Sequence, residues 1–175
     1  MFVGAYWSER KESKEAAAER IAVFLQTIEQ QSEIFANWFD KAKSRSKAKR
    51  SPLDLETASI ALKLNENRRD QNQQPIPDLG FRFTAWNGKN VSFSVTMGAY
   101  NPHVNNSVVL DLHSTKELPA GSYQKLLESM VRVFDPEFAV VTSDEHLAQT
   151  GASRPWEAGW FTYTRGDEVR QHPFH

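Results

Sequence analysis

Two short groups of acidic and histidine residues are the part of the sequence that could carry out acid–base or metal chemistry. In the first group, Asp111 and His113 are two positions apart in a run typical of a β-strand, so their side chains share a face. The other follows the next predicted strand. Brought together, the groups could hold a metal ion or form an acid–base pair. We therefore keep, as an alternative hypothesis for the function, a small metal-dependent enzyme that uses Asp111, His113, Asp144 and His146.

The other residue types that carry catalysis lack the sequence context that their chemistry needs. The chain has no cysteine, so neither a disulfide framework nor a thiolate site can form. No serine lies in a nucleophile elbow, and the glycines do not have the spacing of a phosphate-binding loop. The spacing of the histidine and acidic residues also matches no common zinc or diiron pattern. We therefore expect a protein without enzymatic activity, metal or cofactor.

The charge of the chain is unevenly distributed. The net charge is −1, but six of the 21 basic residues fall within positions 41–50. The other 165 residues carry 15 basic and 22 acidic side chains, a net charge of −7. An acidic body disfavours direct binding of nucleic acid and favours a basic protein partner. The basic segment contains no aromatic residue that could stack on bases, so we interpret it as a mobile loop between two helices.

The length of the chain predicts one domain, and the sequence shows no targeting signal that would take it out of the cytoplasm. A chain of 175 residues is long enough for a single core, and we expect one domain over residues 1–175. The N-terminus lacks the basic segment and apolar region of a signal peptide. No apolar run approaches the length that a membrane span needs. We therefore expect a cytoplasmic protein that does not enter a membrane.

A three-stranded meander in the middle of the chain is the predicted scaffold for the first histidine group. Phe81–Trp86 and Val91–Met97 alternate apolar with polar or small residues, as half-buried strands do. Asn87-Gly88 between them predicts a two-residue hairpin turn. A third strand is predicted at Ser107–Leu112.

Three amphipathic helices are predicted around the meander. The first begins after Ser13, its predicted N-cap, and its apolar face continues to about Phe39–Asp40. The second starts at Ser51–Asp54, where a proline stands at an early position. The third covers Tyr123–Phe134 and stops before an Asp-Pro pair.

Further strands are predicted at Phe2–Trp7, Phe138–Thr142 and Trp156–Thr164. The order β-α-α-β-β-β-α-β-β predicts an α+β fold, with a mixed or mainly antiparallel sheet and helices packed on one face. Whether the strands at 107–112 and 138–142 run parallel stays open. We predict one core that contains Phe24, Ile28, Trp86, Phe93, Val95, Val109, Leu127 and Val140.

Short aromatic motifs give the chain a family resemblance. They are Tyr6-Trp7, Gly80-Phe81-Arg82-Phe83 and Gly159-Trp160-Phe161-Thr162-Tyr163. With them the chain resembles, from residue 1 to about residue 165, the Immunity protein 52 family of bacterial polymorphic toxin systems. The resemblance implies a non-enzymatic protein that binds and neutralises a cognate toxin. For this family the toxin is typically a restriction-endonuclease-like nuclease, often a type VI secretion effector. No catalytic residue is implied.

An acidic segment that leads into the last aromatic run is the predicted partner-binding site. Residues 135–157 carry five acids against one base, Arg154. Trp156 is the predicted aromatic anchor, because tryptophan often dominates such interfaces, while acids mainly speed association. The predicted partner-binding residues are Asp144, Glu145, Trp156 and Glu157. The identity of the toxin and the oligomeric state stay open.

Overall fold

The computed structural model describes residues 1–40, 51–66, 71–72, 74–113 and 118–172. Within these ranges, nine strands form one sheet, and every pairing between them is antiparallel. The strands are β1 (Phe2–Trp7), β2 (Phe39–Asp40), β3 (Asn65–Glu66), β4 (Phe81–Trp86), β5 (Val91–Met97), β6 (Asn106–Leu112), β7 (Phe138–Thr142), β8 (Phe161–Thr164) and β9 (Arg170–Gln171). The predicted basic loop at 41–50 lies outside the described residues.

The N-terminal strand β1 lies near the centre of the sheet. The order from one edge is β2-β4-β5-β6-β1-β7-β8-β9, and β3 also pairs with the outer side of β4. Since β6 and β7 are each antiparallel to β1, they run parallel to one another with β1 between them. The helix that connects β6 to β7 therefore crosses over β1. The predicted α+β fold with a mainly antiparallel sheet is confirmed.

Four α-helices complete the described part of the fold. They are α1 (Lys14–Gln31), α2 (Thr57–Lys63), α3 (Ala120–Phe134) and α4 (Asp144–Thr150). The first three pack on one face of the sheet, as predicted, with α2 and α3 both against α1. No helix in these ranges combines the length and apolar character needed to cross a membrane.

The start of α1 was predicted correctly and its end was not. The Ser13 hydroxyl accepts a hydrogen bond from the N–H of Ala16 at 3.1 Å, which confirms the N-cap. The helix stops at Gln31 because the backbone of Ser32 is extended, although its N–H still donates a hydrogen bond to the carbonyl of Ile28. The chain beyond this point continues as a short 3₁₀-helical turn and an edge strand. The apolar residues that suggested a longer helix reach the core from those segments.

The second helix begins later than predicted, because Pro52 belongs to the sheet edge. Pro52 forms a β-bridge with Phe39, and Leu53 donates its N–H to the carbonyl of Trp38 at 2.8 Å. The chain is therefore extended here and becomes helical only at Thr57.

The hairpin between β4 and β5 differs from the predicted two-residue turn. Four residues, 87–90, connect the strands, and only Gly88 of the Asn87-Gly88 pair has a positive φ, at 77°. Asn87 is buried, and its side-chain oxygen accepts hydrogen bonds from the N–H groups of Lys89 and Val91. Its side-chain amide donates to the carbonyl of Ile34 at 2.6 Å. Asn87 thus shapes the loop and ties it to the segment after α1.

The main core lies between the sheet and the helices α1, α2 and α3. At its centre the Phe24 ring of α1 lies 5.5 Å from Phe93 of β5 and 5.3 Å from Phe134 of α3, measured between ring centroids. Of the predicted core residues, it contains Phe24, Ile28, Phe93, Val95 and Leu127.

Three predicted core residues were assigned to the wrong face of the sheet. In β6 the inward residues are Val108 and Leu110, which leaves Val109 on the opposite face. Three successive apolar residues do not reveal which of them point inward. Trp86 at the end of β4 is only partly buried and also lies on that opposite face. Val140 is fully buried, but its two neighbours on β7 fill the main core, so it faces the other side.

The face of the sheet away from α1 and α3, the back face, receives the last segments of the chain. On β1 and β7 it carries Phe2, Gly4, Tyr6, Phe138, Val140 and Thr142. The last predicted strand was placed too early: Pro155–Glu157 is a 3₁₀-helical turn, and β8 begins at Phe161. Gly159 packs so closely on β7 that an added Cβ would overlap Cγ2 of Val140. The segment before β8 therefore crosses the back face instead of extending the strand.

Candidate partner-binding site

Three aromatic rings form a cleft on the back face. The indole of Trp156 stacks on Phe138, with ring centroids 5.2 Å apart and planes 8° apart. It also lies 5.0 Å from the ring of Tyr6, at an angle of 45°. The aromatic cleft consists of these three residues with Ser8, Glu137 and Arg154 beside them, and it encloses about 310 Å³.

The sheet positions the first two rings. Tyr6 and Phe138 are directly paired across β1 and β7, so their side chains stand next to each other on the back face. Gly4 leaves room for the Tyr6 ring, because a Cβ at Gly4 would lie only 2.6 Å from the Tyr6 hydroxyl oxygen. Burial of the phenol raises the pKa of Tyr6 to about 12. The phenol of Tyr6 therefore keeps its proton to a higher pH than an exposed tyrosine does.

One acid and one base lie at the edge of the cleft. The Glu137 carboxylate is partly buried and accepts a hydrogen bond from the Ser8 hydroxyl at 2.5 Å. The exposed guanidinium of Arg154 lies over the Trp156 ring, 5.7 Å from its centroid. The cleft thus combines aromatic walls with a fixed negative charge.

Glu157, a predicted partner-binding residue, stabilises the turn that carries Trp156. Its carboxylate accepts hydrogen bonds from the N–H and the hydroxyl of Ser153, at 3.1 and 3.0 Å, and from the N–H of Arg154, at 3.2 Å. An acid at the third position of a helical turn can accept the N–H of the residue that precedes the turn, as Glu157 does from Arg154. Glu157 therefore acts on the position of Trp156.

Asp144 and Glu145 lie away from the aromatic cleft. Both are exposed in the first turn of α4, where the Ser143 hydroxyl caps the helix by accepting the N–H of His146 at 3.1 Å. α4 begins just after the last residue of β7, whereas Trp156 stacks on the first residue of that strand. Four residue steps along a strand separate these ends, about 13 Å. The predicted residues therefore form two neighbouring groups rather than one patch.

Asp111 and His113 contact each other as predicted, but the third group beside them is Ser92 and not a residue of the second acidic group. Nδ1 of His113 lies 3.4 Å from a carboxylate oxygen of Asp111, and Nε2 lies 3.4 Å from the hydroxyl of Ser92. This order of groups is that of a Ser-His-Asp relay. Acyl transfer would also need N–H donors that converge on an oxyanion. Ser92 lies on the inner strand β5, where the backbone N–H groups are engaged with β4 and β6.

The second half of the alternative site is not brought to the first. His146 of α4 stacks on Trp160, with centroids 4.8 Å apart. β1 separates the strand of Asp111 from β7, which leads into α4. Within the ranges given above, no group of three or more histidine and acidic residues is placed to hold a metal ion. The hypothesis of a small metal-dependent enzyme therefore has no support.

Two arginines that the sequence analysis did not single out hold the backbone between α3 and the cleft. Arg10 donates to the carbonyls of Phe134 and Asp135, at 2.7 and 3.0 Å. Arg165 donates to the Asp135 carbonyl at 2.6 Å. These bonds satisfy backbone carbonyls at the C-terminal end of α3. Asp135, the residue that ends the helix, has a left-handed backbone conformation with φ 47°. No local sequence signal links such distant residues.

Comparison with known proteins supplies the identity of the family. No curated protein matches the chain significantly. The model of the family described as Immunity protein 52 matches residues 1–170. The match includes β1, β7 and the 3₁₀-helical turn, which carry the three rings of the aromatic cleft. The chain therefore belongs to the Immunity protein 52 family.

Proposed function

We propose that this protein neutralises a bacterial toxin by binding it, and that the toxin is a nuclease delivered by a type VI secretion system. The family match over residues 1–170 carries the proposal, because an immunity protein implies a partner toxin. The nuclease and the secretion route follow from the sequence resemblance. In this proposal the protein is a toxin inhibitor and not an enzyme, and it meets the toxin in the cytoplasm, where a nuclease finds its substrate.

The charge of the chain supports a nuclease partner. A nuclease needs a basic surface to hold the phosphate backbone of its substrate. Outside positions 41–50 this chain has 15 basic and 22 acidic residues. An acidic inhibitor can compete for such a surface and approach it quickly through long-range attraction.

We propose that the toxin contacts the aromatic cleft and the start of α4. Asp144 and Glu145 are exposed there and can attract a basic surface. Trp156 stacks on Phe138 and is only partly buried, so the part of its ring that stays exposed can serve as an aromatic anchor. Glu157 contributes by fixing the turn that carries Trp156.

Co-expression tests the proposal. A candidate toxin domain, taken from a gene beside this protein's gene, is produced in a bacterial host with and without the protein. We expect growth to stop with the toxin alone and to resume when the protein is present. A catalytically inactive toxin domain should then bind the purified protein. Growth arrest that persists at high levels of folded protein, together with no binding, would contradict the proposed function.

A further inference from the structure

We infer that the aromatic cleft binds a guanidinium group, an arginine side chain of the toxin, and that Arg154 occupies part of this site in the free protein. The inference rests on the proposed function, since it specifies what the cleft recognises on the toxin. It concerns Tyr6, Glu137, Phe138 and Trp156, with Arg154 as the internal competitor.

The walls and the charge of the cleft both favour a cation. Tyr6, Phe138 and Trp156 line the cleft, and the Trp156 face over which Arg154 lies attracts positive charge through its quadrupole. The Glu137 carboxylate adds a negative charge, and a hydroxyl donor already holds it in place. An apolar side chain would remove water from that carboxylate and leave it only the Ser8 hydrogen bond, without a compensating charge.

The flat shape of the aromatic surfaces favours arginine over lysine. A guanidinium is planar and weakly hydrated, so it can stack on a ring while it donates hydrogen bonds in its own plane. An ammonium group is compact and strongly hydrated, and it would lose more hydration on entering the cleft. The proposed arginine would stack on Trp156 and donate to the Glu137 carboxylate.

Arg154 shows that the Trp156 ring accepts a guanidinium. Its guanidinium carbon is 5.7 Å from the ring centroid, close to the outer limit of about 6 Å for this interaction. A contact that long and that exposed is weak, so another guanidinium can replace it. The loss of Arg154 should free the ring and remove a like charge from the incoming side chain.

Two charge-removing variants test the inference with opposite expected results. Binding of the inactive toxin domain is measured for Glu137→Gln and Arg154→Gln. We expect Glu137→Gln to weaken binding about tenfold, the effect of losing one charge-assisted contact. We expect Arg154→Gln to tighten binding about threefold, the effect of losing one exposed cation–π competitor. The amide oxygen introduced by Glu137→Gln can still accept the Ser8 hydrogen bond, so the variant should fold.

Matched controls separate the cleft from overall charge. Glu128→Gln on the helix α3 removes the same charge as Glu137→Gln, and Arg132→Gln, at another exposed position of α3, removes the same charge as Arg154→Gln. Each control should stay within about twofold of the wild type, because remote charges are screened by salt. If the cleft variants bind like their controls, the inference is overturned and the proposed function stands.

A second measurement decides the inference without the toxin. N-acetyl-arginine amide is titrated into the Arg154→Gln variant, and the indole N–H signal of Trp156 is followed by NMR. We expect a saturable shift with arginine and none with the neutral citrulline analogue. The absence of a shift with arginine would overturn the inference. If the wild type does not bind the toxin at all, the proposed function fails, and this titration still reports on the cleft.

Discussion

The indole of Trp156 stacks on the ring of Phe138, with their planes 8° apart. Phe138 is the first residue of β7, and Trp156 belongs to a 3₁₀-helical turn that the chain reaches only after α4. The stack therefore fixes a late segment of the chain on the back face of the sheet. It also gives Trp156 two roles, since the same ring supports the turn and forms part of the proposed interface.

The first prediction separates these two roles. Trp156→Ala removes both the stack and the anchor, and we expect faster dissociation of the toxin and a stability loss of about 1–3 kcal/mol. Trp156→Phe keeps an aromatic ring on Phe138, so most of the stability should return. Dissociation rates and thermal unfolding of both variants are measured. Unchanged dissociation of Trp156→Ala would place the anchor elsewhere.

The second prediction concerns the exposed acids of α4. Reversal of Asp144 and Glu145 to lysine should slow association with the toxin and weaken its dependence on salt, because both acids would steer a basic surface. Association rates at several salt concentrations check this. Reversal of Glu15 and Glu19 on α1 changes the charge equally, on the helix-covered side. Equal effects of the two double reversals would mean that only net charge matters.

The third prediction concerns the fit of Tyr6 over Gly4. In Gly4→Ala the new Cβ would lie 2.6 Å from the Tyr6 hydroxyl oxygen, so the Tyr6 ring must shift from its place in the cleft wall. We expect weaker toxin binding and a stability loss of about 1–3 kcal/mol. Gly121→Ala is the control, because a Cβ there meets no atom within 4 Å. Wild-type toxin affinity in Gly4→Ala would show that the position of Tyr6 does not matter.

The fourth prediction follows from the pKa of Tyr6, raised from 10.0 to about 12 by burial. The unfolded chain loses this phenolic proton first as the pH rises, so folding is unaffected below about pH 10 and weakens between pH 10 and pH 12. The loss at the upper limit is about 2–3 kcal/mol. Tyr6→Phe should lack this component. Denaturant unfolding of both proteins at pH 9 and pH 11.5 measures the difference; parallel losses would contradict it.

Local patterns predicted the parts of the fold that they determine. The alternation in β4 and β5 and the Ser13 cap depend on neighbouring residues, and they appear in the structure as expected. The run Val108-Val109-Leu110 is apolar throughout, so its orientation depends on the strands beside it. The central place of β1 depends on its pairing with β6 and β7, which lie far away in the sequence.

The sequence named residues of the candidate site but did not predict how they are arranged. Trp156 was identified from its aromatic context, but the same context suggested a strand that begins at that residue. Pro155, at the first position of the turn, was a local signal for a turn instead. The partners of Trp156 could not be predicted, because Tyr6 and Phe138 meet it only through the order of strands in the sheet.

The most direct test of the account is the nuclease activity of the toxin domain, titrated with this protein. If the protein neutralises the toxin by binding it, activity should fall in proportion to the amount added and be lost once the binding sites on the toxin are filled. For the double variant Asp144→Lys with Glu145→Lys, more protein should be required to cause the same loss of nuclease activity. Full nuclease activity in a large excess of folded wild-type protein would contradict the account.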